Sequence, residues 1–348
     1  MRLAHKQEVI KSLEIAQKIT FSPLTFQAIG AMLEFGILKS IDTEPATKNE
    51  LIERLNISEY TANTLLDVAE AVGLVKKADD KFAITQLGQN FLYDEMTRIN
   101  FNYVKEVCYL GANELIDSFK NSKPEGLRKL YPNSDTIYPH ISELPPKMRK
   151  GWYEFDHYYS DNCFNIIYKM LESAPKIFDI GGNTGKFERL CLKNNPNIDI
   201  TMIDLEENIK VIAEDEELKG CKFHATNVLD ENSPFPKMSG AIFMSQFLDC
   251  FSKEQIVFIL KRLAKEASAD TKIYILEPFI DKQRFDGAKY SLVHTSLYFT
   301  CMANGNSKMY SYLDMEKLIN EAGLEVSAIY DSIGAYDYTL VECKIKKA

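Results

Sequence analysis

The run Asp179-Ile180-Gly181-Gly182-Asn183-Thr184-Gly185 constrains this chain more than any other stretch. It grows out of a short apolar segment, Ile177 to Ile180, and opens onto a helical pattern from Lys186 to Lys193. Glycines at a strand-to-helix turn let the backbone take positive φ and approach a ligand closely. The free N–H groups of the next helix favour negative or electron-rich groups. Two familiar ligand loops are excluded by spacing. A P-loop needs G-x-x-x-x-G-K-[ST], yet Lys186 is followed by Phe187, and the dinucleotide pattern G-x-G-x-x-G does not fit either. A purely structural turn is the plain alternative.

The chain beyond the loop indicates the fold class. Apolar segments at Ile198–Ile203, Cys221–His224, Ala241–Met244 and Lys272–Leu276 alternate with helical ones, including Lys253–Ala267. Leu324–Tyr330 and Tyr338–Lys344 look like a closing pair. This alternation predicts a doubly wound, mostly parallel α/β sheet, with ligands beyond the carboxyl ends of its strands. The second strand ends at Asp204-Leu205, 19 positions after Gly185. An acid there can accept hydrogen bonds from both hydroxyls of a ribose. Alone, such an Asp is more often a turn residue. With the glycine turn it indicates a nucleoside-bearing cofactor, and the lack of pyrophosphate spacing favours S-adenosylmethionine over NAD.

The first 100 residues have a different texture. Thr47 is placed to cap a helix over 48–55, and Asn56 closes it; Ser58 caps another over 59–71, which Gly73 ends. Two short strands around Ala78-Asp79-Asp80 complete a winged-helix pattern. Such a helix commonly enters the major groove of DNA. Here residues 1–95 hold 10 Lys and Arg against 14 Asp and Glu, and 58–71 contains no cation at all. The chain as a whole carries a net charge of −9. Groove reading needs cations for phosphates and guanine edges, so a packing or dimerisation role is expected and nucleic acid is not.

Taken with these motifs, the segment from Lys176 to Tyr330 resembles the catalytic domain of class I S-adenosylmethionine-dependent methyltransferases. The whole chain resembles the winged-helix small-molecule O-methyltransferases typified by plant caffeate and bacterial polyketide enzymes. Where that family has Asp-Val-Gly-Gly-Gly-Thr-Gly, Asn183 replaces one glycine; Asn tolerates the left-handed region better than most residues. The resemblance implies an N-terminal winged-helix dimerisation domain over 1–100, taken as all-α, a helical linker over 101–170 that contributes to an acceptor pocket, and a Rossmann-like methyltransferase domain over 171–348. It also implies that Asp179, Gly181, Gly182 and Gly185 carry the methionine end of the cofactor. Asp204 and Leu205 would hold the ribose, and Asn227 and Val228, where the family has an Asp, the adenine. Ser245 and Gln246, after the fourth strand, would lie beside the cofactor.

One departure bears on the chemistry. The family carries His-Asp-Trp-Ser after its fourth strand, and its His deprotonates the acceptor hydroxyl. Aligned on Ser252, that position is Asp249. A carboxylate of ordinary pKa, about 4, is a weak base towards a phenol near 10, though burial would improve the match. The alternatives are that Asp249 only caps the helix near Lys253, or that alignment of the reactants suffices. His157, Tyr158, Tyr159, His294 and Tyr298 fall on segments that border the family's acceptor pocket, where a histidine is as readily a structural hydrogen-bonder. Without the His, ring C- or N-methylation stands beside O-methylation. A cofactor-binding regulator without catalysis is the rival from another class.

The seven cysteines are scattered, with no C-x-x-C pair, which argues against disulfides and structural zinc. No metal is implied. No apolar run approaches the roughly 18 residues that cross a bilayer. The expectation is a cytoplasmic homodimer that acts on a small-molecule acceptor, without membrane or nucleic-acid partners.

Overall fold

The computed structural model describes residues 2–346 and divides into two compact units, one ending at Phe101 and one beginning at Asn102. The first is built from α1 (Arg2–Phe35), α2 (Ile37–Ser40), β1 (Ala46–Thr47), α3 (Lys48–Leu55), α4 (Glu59–Ala71), β2 (Val75–Ala78), β3 (Lys81–Ile84) and α5 (Gln86–Tyr93). Helix α6 (Glu95–Tyr103) runs across the boundary. Local chemistry sets these ends. Thr47 Oγ1 accepts from the Glu50 N–H, while the Glu50 carboxylate accepts from the Thr47 N–H at 2.7 Å. Ser58 caps α4 through the Thr61 N–H at 3.0 Å, and Asn56 closes α3 at φ 50°. The wing hairpin forms as β2–β3, and β1 adds a third antiparallel strand, so this unit is not wholly helical. Its core gathers Met32, Leu38, Leu51, Leu66 and Leu74, all nearly inaccessible.

In the second unit, α7 (Leu115–Asn121) and α8 (Glu125–Arg128) precede the long α9 (Pro146–Leu171). Then come β4 (Ile177–Ile180), α10 (Lys186–Asn194), β5 (Ile200–Asp204), α11 (Glu206–Ile212), β6 (Lys222–Ala225), β7 (Ala241–Ser245), α12 (Lys253–Glu266) and β8 (Lys272–Glu277). Helices α13 (Asp286–Tyr298) and α14 (Tyr312–Glu321) lead to β9 (Leu324–Ile333) and β10 (Tyr338–Ile345). The seven strands lie in the order β6-β5-β4-β7-β8-β10-β9. Five are parallel, and β10 inserts antiparallel between β8 and β9. All four residues of β4 are buried, as a strand covered on both faces requires. Strand order reverses between β4 and β7, so the loops after those two strands flank the crevice where such sheets take ligands.

Candidate active site

A cavity of about 570 Å³ opens at that crevice. Its floor is the loop after β4. Gly181 has φ 80°, and a Cβ there would lie 2.4 Å from the Phe247 ring, so only glycine lets the β7 loop close over this turn. Asn183 takes φ 52°, the left-handed conformation that its place in the glycine run demands. Gly185, at φ 74°, starts α10 and packs on Leu218 rather than lining the cavity.

Asp204, at the end of β5, is held from several sides. Its Oδ1 accepts from the Leu205 N–H at 2.7 Å and the Asn208 amide at 2.8 Å, and its Oδ2 accepts from the Asn183 N–H at 2.9 Å. Burial raises its pKa, and these donors oppose the rise. Below the loop, Asp179 and the fully buried Glu188 form a carboxyl pair. Burial pushes Asp179 up to about 7 and Glu188 well above the carboxylate range, so the pair retains a proton near neutral pH.

Leu205, Asn227 and Val228 line the same cavity. Asn227 Oδ1 is engaged by the Leu229 N–H at 3.0 Å, and among the described residues its amide hydrogens meet no acceptor. Ser245 and Gln246 border the loop; among the described residues Ser245 Oγ and Gln246 Nε2 are buried without a hydrogen-bond partner, whereas Gln246 Oε1 accepts from Tyr338 Oη at 2.6 Å. Orphaned polar atoms beside a glycine loop and a preoriented carboxylate fit a nucleoside with an amino-acid tail.

Several residues expected around the acceptor lie elsewhere. Asp249 is 5% exposed and packs with Glu277, Phe279 and Tyr310 rather than lining the cavity. The cause is Glu277, at the end of β8, whose Oε1 accepts from the Phe247 and Leu248 N–H groups at 3.1 and 2.8 Å and fixes the turn with Asp249 behind the cavity wall. Burial pushes Asp249 up to about 7. Tyr158 and Tyr159 pack against Tyr336 instead of the cavity. His294 is exposed on α13, stacked on Tyr290 with Nδ1 at 2.8 Å from its carbonyl. Tyr298 is buried behind the wall, where its Oη accepts from Trp152 Nε1 at 2.7 Å. His157 does reach the cavity, with Nδ1 3.5 Å from Asp161 and Nε2 3.4 Å from Thr184 Oγ1.

The wall comes mostly from the 101–170 segment, which was expected to contribute to the acceptor pocket, but through other side chains than the ones named for it. One face of α9 presents Trp152, Asp156, Ser160 and Phe164 at four-residue spacing. Tyr138 and Cys250 stand opposite with neighbouring hydroxyl and thiol groups, both pushed up by burial. Asn304 Nδ2 donates to the Cys250 carbonyl at 2.7 Å and steadies that side. The four-residue repeat on α9 was the one available signal.

A family model described as an O-methyltransferase domain matches residues 150–325, half of the chain. The chain belongs to that O-methyltransferase family. It is an S-adenosylmethionine-dependent methyltransferase, and a second model, described as a Dimerisation2-like domain, matches residues 14–82. The methyltransferase is 30% identical over 152 residues to norreticuline-7-O-methyltransferase of Papaver somniferum, a match that spans 44% of this chain and 40% of that relative's length. It is 20% identical over 260 residues to 3-hydroxy-5-methyl-1-naphthoate 3-O-methyltransferase of Streptomyces sahachiroi, across 74% of this chain and 75% of the relative. Among solved structures, mitomycin 7-O-methyltransferase superposes with a TM-score of 0.72 at 18% identity, covering 98% of the methyltransferase and all of its counterpart, a likeness of fold.

Proposed function

We propose that this enzyme methylates a hydroxyl group of a small, flat aromatic acceptor held in the 570 Å³ cavity. The observation that carries the reading is the joining, in one cavity, of the glycine loop and Asp204 with the Trp152 and Tyr138 wall. That volume lies within the range of pockets that enclose small-molecule ligands. One relative's name gives a hydroxynaphthoate as its acceptor, the ring-shaped class that such a wall suits.

S-adenosylmethionine supplies a methyl group made electrophilic by its sulfonium. Gly181 and Gly182 let its methionine end approach the backbone, and Asp179 supports the turn from below. Asp204, with Leu205 beside it, accepts the ribose hydroxyls; Asn227 and Val228 border the adenine; Ser245 Oγ and Gln246 Nε2 find partners on the cofactor. Trp152 and Tyr138 hold the acceptor ring and exclude water, so that its oxygen lies in line with the methyl group.

We further infer a cytoplasmic homodimer formed through the N-terminal unit, supported by the dimerisation-type match and by exposed apolar residues on α1. The acid excess of that unit stands against nucleic acid as a partner. Among the described residues no helix is long and apolar enough to cross a membrane.

Incubation with methyl-labelled S-adenosylmethionine and a panel of phenols tests the reaction. Label in a methoxy product, matched by S-adenosylhomocysteine, is expected. Label on ring carbon or nitrogen would replace the reading with its rivals, and a chain that binds cofactor without turnover would end it.

A further inference from the structure

Building on the methyl-transfer reading above, we propose that Asp156, positioned by Asn183, is the catalytic base that takes the acceptor's proton. Asp249 occupies the aligned base position, but it is shut behind the cavity wall with Glu277. Asp156 lies on the cavity face of α9, one turn from Trp152 on the acceptor side and one turn from Ser160 on the other. Its Oδ2 accepts from Asn183 Nδ2 at 3.0 Å, and among the described residues no donor reaches Oδ1. That oxygen is left for a bound hydroxyl. His157 is a poorer candidate, since its two nitrogens are turned to Asp161 and to Thr184 of the loop.

The surroundings suit a base. The Asp156 side chain is 28% exposed, but that surface lies within a deep cavity; burial raises its pKa, and Asp161 adds to the rise. His157, Asn183 and Lys186 oppose it, while Asp249 and Tyr298 face Asp156 from other elements. In the step, Asp156 Oδ1 accepts the hydroxyl proton and the acceptor oxygen forms the new C–O bond. The C–S bond breaks with its electron pair left on sulfur, giving neutral S-adenosylhomocysteine. Asp156 then releases the proton to water as product leaves.

Three variants test this in the full chain: D156N, N183G and D249N. Each is assayed for S-adenosylmethionine affinity by calorimetry and for kcat across pH with an acceptor from the phenol panel. D156N should keep cofactor affinity within about threefold, which also reports folding, while kcat falls about 100-fold or more and the acidic limb of the pH profile disappears. N183G suits a positive φ, so it should keep the loop and the affinity but lower kcat and move that limb. D249N should keep both kcat and the limb. A D156N enzyme with normal kcat overturns the proposal. So does one whose loss lies in cofactor affinity, which would make Asp156 a cofactor ligand, or a D249N enzyme that loses the limb. A wild-type enzyme that binds cofactor but turns over no phenol ends the parent reading, and that is seen before any variant is made.

Discussion

The Asn183 N–H donates to the Asp204 carboxylate at 2.9 Å, so the cofactor loop and the ribose acid are fixed to each other across 21 positions of chain. Asp204 therefore orders the loop as well as offering oxygens to a ribose. Its replacement in D204A should remove both effects. Hydrogen bonds to a charged group contribute about 1.5–3 kcal/mol each, so loss of two should weaken S-adenosylmethionine binding by at least about 100-fold. Calorimetric titration measures this. A dissociation constant within threefold of wild type would remove Asp204 from the cofactor site.

The Asp179–Glu188 pair predicts how stability depends on pH. An unfolded carboxyl titrates near 4, whereas burial holds Asp179 at about 7 and Glu188 well above the carboxylate range. The folded state thus keeps protons that the unfolded chain gives up. The stability this contributes is fully present below about pH 4 and is lost as pH rises through about 7. E188Q removes the Glu188 share of that dependence and lessens the Asp179 share, since its amide stays neutral and can donate to Asp179. Its Tm should match or fall below wild type at pH 5 and exceed it by roughly 3 °C or more at pH 8. Scanning calorimetry decides, and a Tm difference that stays constant across this range counts against the pair.

The features legible in the sequence and those it concealed divide by range along the chain. The glycine run, Asp204 and the strand alternation are local signals, each carried by a few consecutive residues or by short-range periodicity. The capping residues Thr47 and Ser58 are equally local, and their helices start where expected. Side-chain direction at the site is not local. Asp249 comes after β7 as expected, but Glu277, 28 positions later, fixes which way that turn faces. Asp156 meets Asn183 across 27 positions, a contact that no periodicity encodes. His294 lies on α13, which has no clean apolar stripe to show which face would be buried, and the structure leaves it on the surface. The insertion of β10 between β8 and β9 was likewise hidden, because two closing strands can add to an edge in either order.

Glu277 is better described as a clamp on the β7 turn than as a group that touches substrate. It accepts from the Phe247 and Leu248 N–H groups, and Phe247 in turn packs on Gly181. E277A leaves two buried donors unsatisfied, at about 1–3 kcal/mol for such a loss. The Tm should drop by roughly 5 °C, and cofactor affinity should weaken because the Phe247 ring no longer holds the loop. The conservative E277Q retains an acceptor oxygen and should recover most of both. Thermal unfolding with and without S-adenosylmethionine checks the pair of variants. Equal Tm values for E277A and wild type would show that the clamp carries no stability.

The N-terminal unit makes the last prediction. Helix α1 is 34 residues long and carries exposed apolar residues along much of its length, Val9, Ile10, Leu13, Phe21 and Leu24 on one side and Ile15 and Ile19 on another. All are exposed, Leu13 at 56% and Leu24 at 68%. So much apolar surface left in water is the kind that association would cover. A twofold pairing through the side that carries Leu13 and Leu24 would bury it in both copies, so each substitution acts twice. Burial of a Leu side chain contributes about 1.5–3 kcal/mol, so L13E/L24E removes four such contributions, at least roughly 6 kcal/mol or about four orders of magnitude in the dimer Kd. At micromolar concentration the wild type should run as a dimer in light scattering and the double variant as a monomer. Circular dichroism should find the variant's helix content unchanged, because both positions face away from the core of Met32, Leu38 and Leu66. A variant that stays dimeric would place the interface on some other face.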